Sequence, residues 1–482
     1  MIKRLLAILL LIVVVLGGIL ITRAFALASR QLPATPAPPL TIDRTLALQR
    51  FSRAIQFRTI SFEEQNQPTD HAAFIAWVAQ AYPRVHASLQ REVVGRSLLY
   101  TWRGSDPSLA PQLLMGHYDV VPVEPGTESR WEQPPFSGAV ANGYVWGRGT
   151  LDDKVTVIAI LEAAESLLAE GWRPRRTLLF SFGEDEELGG SRGAARIAKL
   201  LAARGVKLDA VLDEGGAIMT GAIEGTTKPV ALIGIAEKGL ASIELSASGK
   251  GGHSSMPPPR TEVGAIAAAV DRVQNAPFRA GVRGAAAEMF RWLAPEVAFG
   301  PRIVLANLWL FEPLLALQAK ESHSINAMLR TTIAPTIIGG GVKDNVIPAY
   351  ARAVINFRTL PGDTIADVVA HVRRAIDDPH TRVRLFGEAW EPSPVADPSA
   401  PQFQRVQRAV RAVDPDALVA PYLLMGATDS RHFEPLTRNV YRFVPLPLRE
   451  PDLDRIHGTN ERVAVSGYFD AIRFYRQLMR AQ

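Results

Sequence analysis

Several short motifs in this 482-residue chain end in histidine and carboxylate side chains. The first is Gly116-His117-Tyr118-Asp119. His117 and Asp119 are two residues apart, so an extended chain points both to one face. An Asp in that position can hold one ring nitrogen of the His and fix its tautomer. The second motif is Gly183-Glu184-Asp185-Glu186-Glu187 and the third is Asp213-Glu214-Gly215-Gly216. Between the first two lies Gly149-Thr150-Leu151-Asp152-Asp153-Lys154. A late histidine, His457, stands in Ile456-His457-Gly458-Thr459-Asn460-Glu461, and His432 in Asp429-Ser430-Arg431-His432 is a further candidate. Each motif alone has a plain structural reading: Asp152 can cap the helix that follows it, and an acidic cluster can be a solvated loop. Several acidic groups on one sheet edge repel one another unless a cation sits among them. The cysteine count is zero, so any metal must be held by His, Asp and Glu. That donor set suits zinc or a related divalent ion.

The elements that would position these groups follow from apolar periodicity. Gln112–Met115, Thr177–Phe182 and Ala210–Leu212 read as short buried strands, each leading directly into one of the motifs. Leu46–Ile55, Ala72–Ala81 and Val155–Ala169 read as helices. Short apolar strands separated by helices predict an α/β fold with a mostly parallel sheet, whose ligands bind beyond the carboxyl ends of the strands. From about Leu240 the pattern changes. Ser242–Ser248 alternates as a half-solvated strand; Thr261–Val273 and Thr364–Ile376 read as helices, Ala351–Phe357 and Thr381–Leu385 as strands. This predicts a smaller βαβ–βαβ domain inserted in the first. It is interrupted by an apolar stretch, Pro277 to Leu329, which holds Trp292, Leu308, Trp309 and Phe311. That stretch is either helical core of an enlarged lid or the lining of a channel for an acyl chain.

Composition narrows the class. Hydrophobic residues make up 47% and charged residues 21%, which excludes a disordered chain. A net charge of +5 is too dilute over this length to indicate a nucleic-acid partner. Lys3 and Arg4 precede an apolar run from Leu5 to Ile21, and Ala26-Leu27-Ala28 offers a small-x-small cleavage pattern. The segment 1–28 therefore reads as a signal anchor or a cleaved signal peptide, with the body exported. The Pro-rich segment 29–44 reads as a spacer. The remaining boundaries are 45–238 and 393–482 for the catalytic domain and 239–392 for the lid.

His117-x-Asp119, Asp152-Asp153-Lys154, Glu186-Glu187, Leu212-Asp213-Glu214-Gly215-Gly216 and His457-x-x-Asn460-Glu461 together resemble the signatures of the two-zinc aminoacylase/carboxypeptidase family. Leu151–Lys154, Asn326–Thr332, Val342–Pro348 and Arg455–Glu461 are similar to its carboxypeptidase S and N-fatty-acyl-amino-acid synthase/hydrolase branch. The resemblance implies a zinc-hydrolase domain split by a lid/dimerisation domain, and a cis peptide bond between Asp152 and Asp153. It implies two zinc ions, with cobalt or manganese as substitutes. Asp152 would bridge them; His117 and Asp213 would complete one site, and Glu187 and His457 the other. Asp119 would orient His117, and Glu186 would be the general base. His253, in Gly251-Gly252-His253-Ser254, matches a lid histidine that reaches a catalytic site, often that of a partner subunit. Arg358 and Asn345 are candidates for holding the substrate's α-carboxylate and backbone.

Zinc lowers the pKa of a bound water to about 7. Glu186 would take a proton from that water as it attacks an amide carbonyl, then pass it to the leaving amine. The expected substrate is a small peptide with a free C-terminus or, alternatively, an N-acyl amino acid. A non-catalytic, membrane-tethered binding protein is the rival class; the presence of Glu186 and of every expected ligand weighs against it. Gly189-Gly190-Ser191-Arg192-Gly193 matches a serine-hydrolase elbow only by letter, since Ser191 lies past the strand end and after the acidic run.

Overall fold

The computed structural model describes residues 1–62 and 67–481. Its larger sheet has eight strands, in the order Gln90–Val94, Ser97–Trp102, Leu178–Gly183, Gln112–His117, Ala210–Met219, Val440–Leu448, Val230–Glu237 and Leu418–Leu424. Gln112–His117 is central and runs parallel to both of its neighbours. It is buried along its whole length, as a strand covered on both faces must be. Leu114 joins the core on one face; Leu113 and Met115 join the other. The helices Lys154–Ala169 and Val465–Arg480 cover the first face, and Ala194–Ala203 covers the second. The antiparallel edge pair Gln90–Val94 and Ser97–Trp102 extends the parallel sheet expected from the sequence.

The lid is a four-stranded sheet, in the order Thr332–Gly340, Tyr350–Thr359, Gly239–Ser248 and Arg382–Leu385, and all its pairings are antiparallel. The helices Glu262–Gln274 and Ile365–Ile376 bury one face of it, through Ile266 and Val273 on one and Val368 and Val372 on the other. Thr261 caps the first helix; Thr364 and Asp367 form a capping box on the second. The edge strand Thr332–Gly340 goes beyond the expected βαβ–βαβ pattern. Its Pro335 donates no hydrogen bond and sits at a break in register, which suits an edge.

The apolar stretch is helical, but it does not belong to the lid core. Gly284–Leu293 presents Ala285, Ala286, Met289, Trp292 and Leu293 to the catalytic domain. The Trp292 ring meets Phe403 edge-on at 5.3 Å. Trp292 is therefore core of the catalytic domain, and the segment 239–392 is not one packing unit.

Residues 29–44 follow the body rather than hang free. Gln31 exchanges two hydrogen bonds with the backbone of Val419, and Ala37 donates to Ala412. Ahead of this segment, Ile2–Phe25 forms a helix of 24 residues containing an 18-residue window with a mean hydropathy of 3.2.

Candidate metal centre

His117 closes the central strand, Glu186 and Glu187 follow Leu178–Gly183 in a short 3-10 turn, and Asp213 and Glu214 lie within Ala210–Met219. Three strands thus deliver their acids and the histidine to one edge. The loop Gly149–Asp153 brings in Asp152, through a cis peptide bond to Asp153, just ahead of the helix Lys154–Ala169.

Asp152 is the hub. Its Oδ1 lies 2.9 Å from His117 Nε2, and its Oδ2 lies 2.9 Å from His457 Nε2. Glu214 completes the first group, 3.3 Å from His117 Nε2; Glu187 completes the second, 3.2 Å from His457 Nε2. The sequence reading places Asp213 in the first group; in the structure Glu214, its neighbour, is the acid in contact with His117. Asp213 accepts the Glu214 N–H on Oδ1 and keeps Oδ2 buried without a hydrogen-bond partner, while Glu214 reaches His117 directly.

Asp119 sits as expected beside His117, which contacts its backbone oxygen at 3.0 Å and its carboxylate at 3.3 Å through Nδ1. With Nδ1 donating there, Nε2 is left facing two carboxylates. Asp119 also accepts the Ser61 hydroxyl at 2.6 Å and the N–H groups of Glu186 and Glu187 at 3.2 Å each. It therefore positions Glu186 and Glu187 as well as His117.

A second clamp was not predicted. Glu461, fully buried, takes the N–H groups of Gly149, Leu151 and Asp152 on its two oxygens and pairs with Arg148 at 2.7 Å. Arg148 also donates to the carbonyl of His457, whose backbone is left-handed at φ 60°. His457 is half exposed, so the cluster opens to solvent on that side. Glu461 was visible as part of a motif, but its partner lies 313 residues away.

The electrostatics call for a cation. Burial raises Glu186 well above the usual carboxylate range, aided by the charges of Glu214 and Asp429. Burial likewise pushes Glu214 up to about 8. Burial opposes a charge on His117, yet Glu214, Asp119 and Asp152 together hold its pKa well above the ordinary value. Hydrogen bonds to Asp152 and Glu187 raise His457 to about 10. Glu187 Oε1 is buried without a hydrogen-bond partner. Two divalent ions, sharing Asp152, fit this donor set, because each would face a histidine nitrogen and carboxylate oxygens.

The other candidates lie apart from the cluster. His253 and Asn345 meet on the lid, where Gly252–His253 pairs with Val346–Ile347 and Ser254 donates to the Asn345 carbonyl. Both are exposed, and His253 Nδ1 contacts the Ser255 hydroxyl. Arg358 is half-buried at the root of the lid, opposite Leu240. Burial and the nearby Arg431 lower its pKa. Arg431, which the sequence did not single out, donates to the carbonyls of Gly189 and Thr428 and stacks on Trp390 of the segment leaving the lid. His432 contacts the Gly189 carbonyl and is not in either ligand group.

A carboxylate shared between two histidines, at the carboxyl edge of a parallel sheet carrying an antiparallel lid, defines a metal-dependent hydrolase. The chain belongs to peptidase family M20/M25/M40, whose pattern matches residues 113–481. It is 39% identical over 439 residues to the probable carboxypeptidase S-like 2 of Dictyostelium discoideum, covering 90% of this chain and 84% of that one. It is 41% identical over 444 residues to the N-fatty-acyl-amino acid synthase/hydrolase PM20D1 of Xenopus tropicalis, covering 91% and 86%. The crystal structure of an M20 family metallo-carboxypeptidase from Sulfolobus solfataricus shares the fold, with a TM-score of 0.66 at 17% identity over 90% of this chain and 98% of that one. The protein is a hydrolase acting on peptide or other linear amide bonds.

Proposed function

We propose that the protein cleaves the amide bond next to a C-terminal free amino acid, using two zinc ions, and that it acts as a carboxypeptidase S-like enzyme. The observation that carries this is Asp152, with one carboxylate oxygen on each histidine. The ions would supply an acidified water and an electrophile for the amide oxygen.

The chain's own residues do the rest. His117, Asp152 and Glu214 would hold one ion; Asp152, Glu187 and His457 would hold the other. Asp119 fixes the His117 ring and the Glu186 backbone. Glu186 takes the proton from the attacking water and returns it to the leaving nitrogen, a task that a raised carboxyl pKa suits. Arg358 receives the substrate carboxylate, with Arg431 reinforcing the positive field. His253 serves the site of a partner subunit. The dimer forms through the lid edge Thr332–Gly340, where Ile337 and Ile338 are exposed beside an unpaired strand edge. The N-terminal helix anchors the chain, with Lys3 and Arg4 inside and the catalytic body outside the cytoplasm.

A second reading, an N-fatty-acyl-amino acid hydrolase or synthase, is favoured by the relative that bears that name and by the apolar insert. Zinc-loaded protein offered dodecanoyl-amino acids and dipeptides side by side separates the two. Faster dipeptide turnover, abolished by a chelator, supports the carboxypeptidase. Faster acyl-amino acid turnover supports the second reading. Chelator-resistant turnover overturns both.

A further inference from the structure

The helices Phe299–Ala306 and Leu308–Gln318 form a bent pair at an angle of 108°. Together they are as apolar as a membrane span, but neither can be one. At 1.5 Å per residue they reach about 12 and 16 Å, against about 30 Å of hydrocarbon. Their two charged side chains are both turned to the protein. Arg302 donates to the carbonyls of Pro295 and Val297, and Glu312 accepts the Val282 N–H at 3.0 Å. The large apolar side chains exposed on the second helix are Trp309, Leu310, Leu314 and Leu317, at the spacing of a single helical face, with Pro313 among them and Gln318 at its end. Trp309 is 57% exposed and Leu317 60%. Water is a poor solvent for such a face.

The neighbouring element indicates what covers it. The N-terminal helix lies against this pair: the buried Asn307 donates to the Leu20 carbonyl at 3.1 Å, and the rings of Phe25 and Phe299 are 5.2 Å apart. The following segment is pinned to the body through Gln31, so the helix leaves at a defined place beside the pair. We infer that the 299–318 helix pair is a second membrane contact, lying in the bilayer surface next to the anchor, with its Trp309–Leu317 face in the lipid. This rests on the reading of the N-terminal helix as an anchor. An interfacial helix has this form: an apolar face in the acyl boundary, and an indole at headgroup level.

The absence of cysteine makes the test direct. Full-length protein carrying Leu317→Cys, Val13→Cys or Val342→Cys is labelled with a nitroxide and placed in phosphatidylcholine vesicles. Val342, on the lid, is 96% exposed and serves as the aqueous reference. Accessibility to oxygen and to a water-soluble nickel complex is then read by electron paramagnetic resonance. The expected result is preferential oxygen access at 13 and 317, and preferential nickel access at 342. Aqueous behaviour at 317 with lipid behaviour at 13 overturns the second contact and leaves the anchor standing. Aqueous behaviour at both overturns both. Exclusion of both reagents at 317, with spin–spin broadening, identifies a second copy of the chain on this face and also overturns it.

Discussion

The Glu461 carboxylate lies 2.7 Å from the Arg148 guanidinium, and between them the two residues hold both sides of the metal centre. Glu461 fixes the loop carrying Asp152, and Arg148 fixes the backbone of His457. Glu461→Ala leaves the Arg148 charge buried and frees three N–H groups. Removing one partner of a buried pair costs about 3–5 kcal/mol. The variant is expected to melt well below the parent and to lose metal from both positions, read by calorimetry and elemental analysis. Parent-like melting would show that the loop is held by other contacts.

Glu214 and Asp213 make opposite predictions. Glu214→Ala is expected to retain about half the metal, losing the ion held with His117. Asp213→Asn keeps its shape and is expected to keep both ions. Metal content after dialysis against a weak chelator decides, and the reverse pattern would restore Asp213 as the ligand.

Glu186 neighbours the ligands but belongs to neither group of donor atoms. Glu186→Gln is expected to bind both ions normally while turnover falls about 100- to 10,000-fold, the range for losing a general base. Turnover within a few-fold of the parent would remove Glu186 from the proton path.

Lys238 gives a pH dependence away from the metal centre. Burial lowers its pKa to about 7, with the nearby Arg358 adding to the effect. Its Nζ donates to the carbonyls of Ala327 and Arg330, which ties the lid root to the end of the helical insert. In the unfolded chain the ammonium persists to about pH 10. Between these values the unfolded chain binds the extra proton, so the fold gains stability as pH rises, by at most about 1.4 kcal/mol per pH unit. Lys238→Met should flatten this slope relative to the parent. Melting temperatures of both proteins at about pH 7, 8.5 and 10 provide the check; parallel curves would show that Lys238 stays charged in the fold.

The legible parts of the site are those written in local order. His117-x-Asp119, the pair Glu186-Glu187 and the loop around Asp152 each announce themselves within a few residues, and the apolar strands before them place them at one sheet edge. The strand Thr332–Gly340 was not read from the sequence: Pro335 and Gly339-Gly340 interrupt its apolar run, so no local pattern marks it. The choice between Asp213 and Glu214 was hidden for another reason: both stand side by side on one strand, where its pairing breaks register.

Sequence alone thus determined the family of motifs, the parallel sheet that carries them, the cation-seeking donor set without cysteine, and the N-terminal apolar run, because each depends on residues near one another in the chain. The tertiary structure decided which acid meets His117, that Arg148 and Glu461 join two distant loops, and that the insert divides between catalytic core and an exposed apolar face. Those outcomes depend on which surfaces come together when the sheets and helices pack, and no spacing along the chain encodes that.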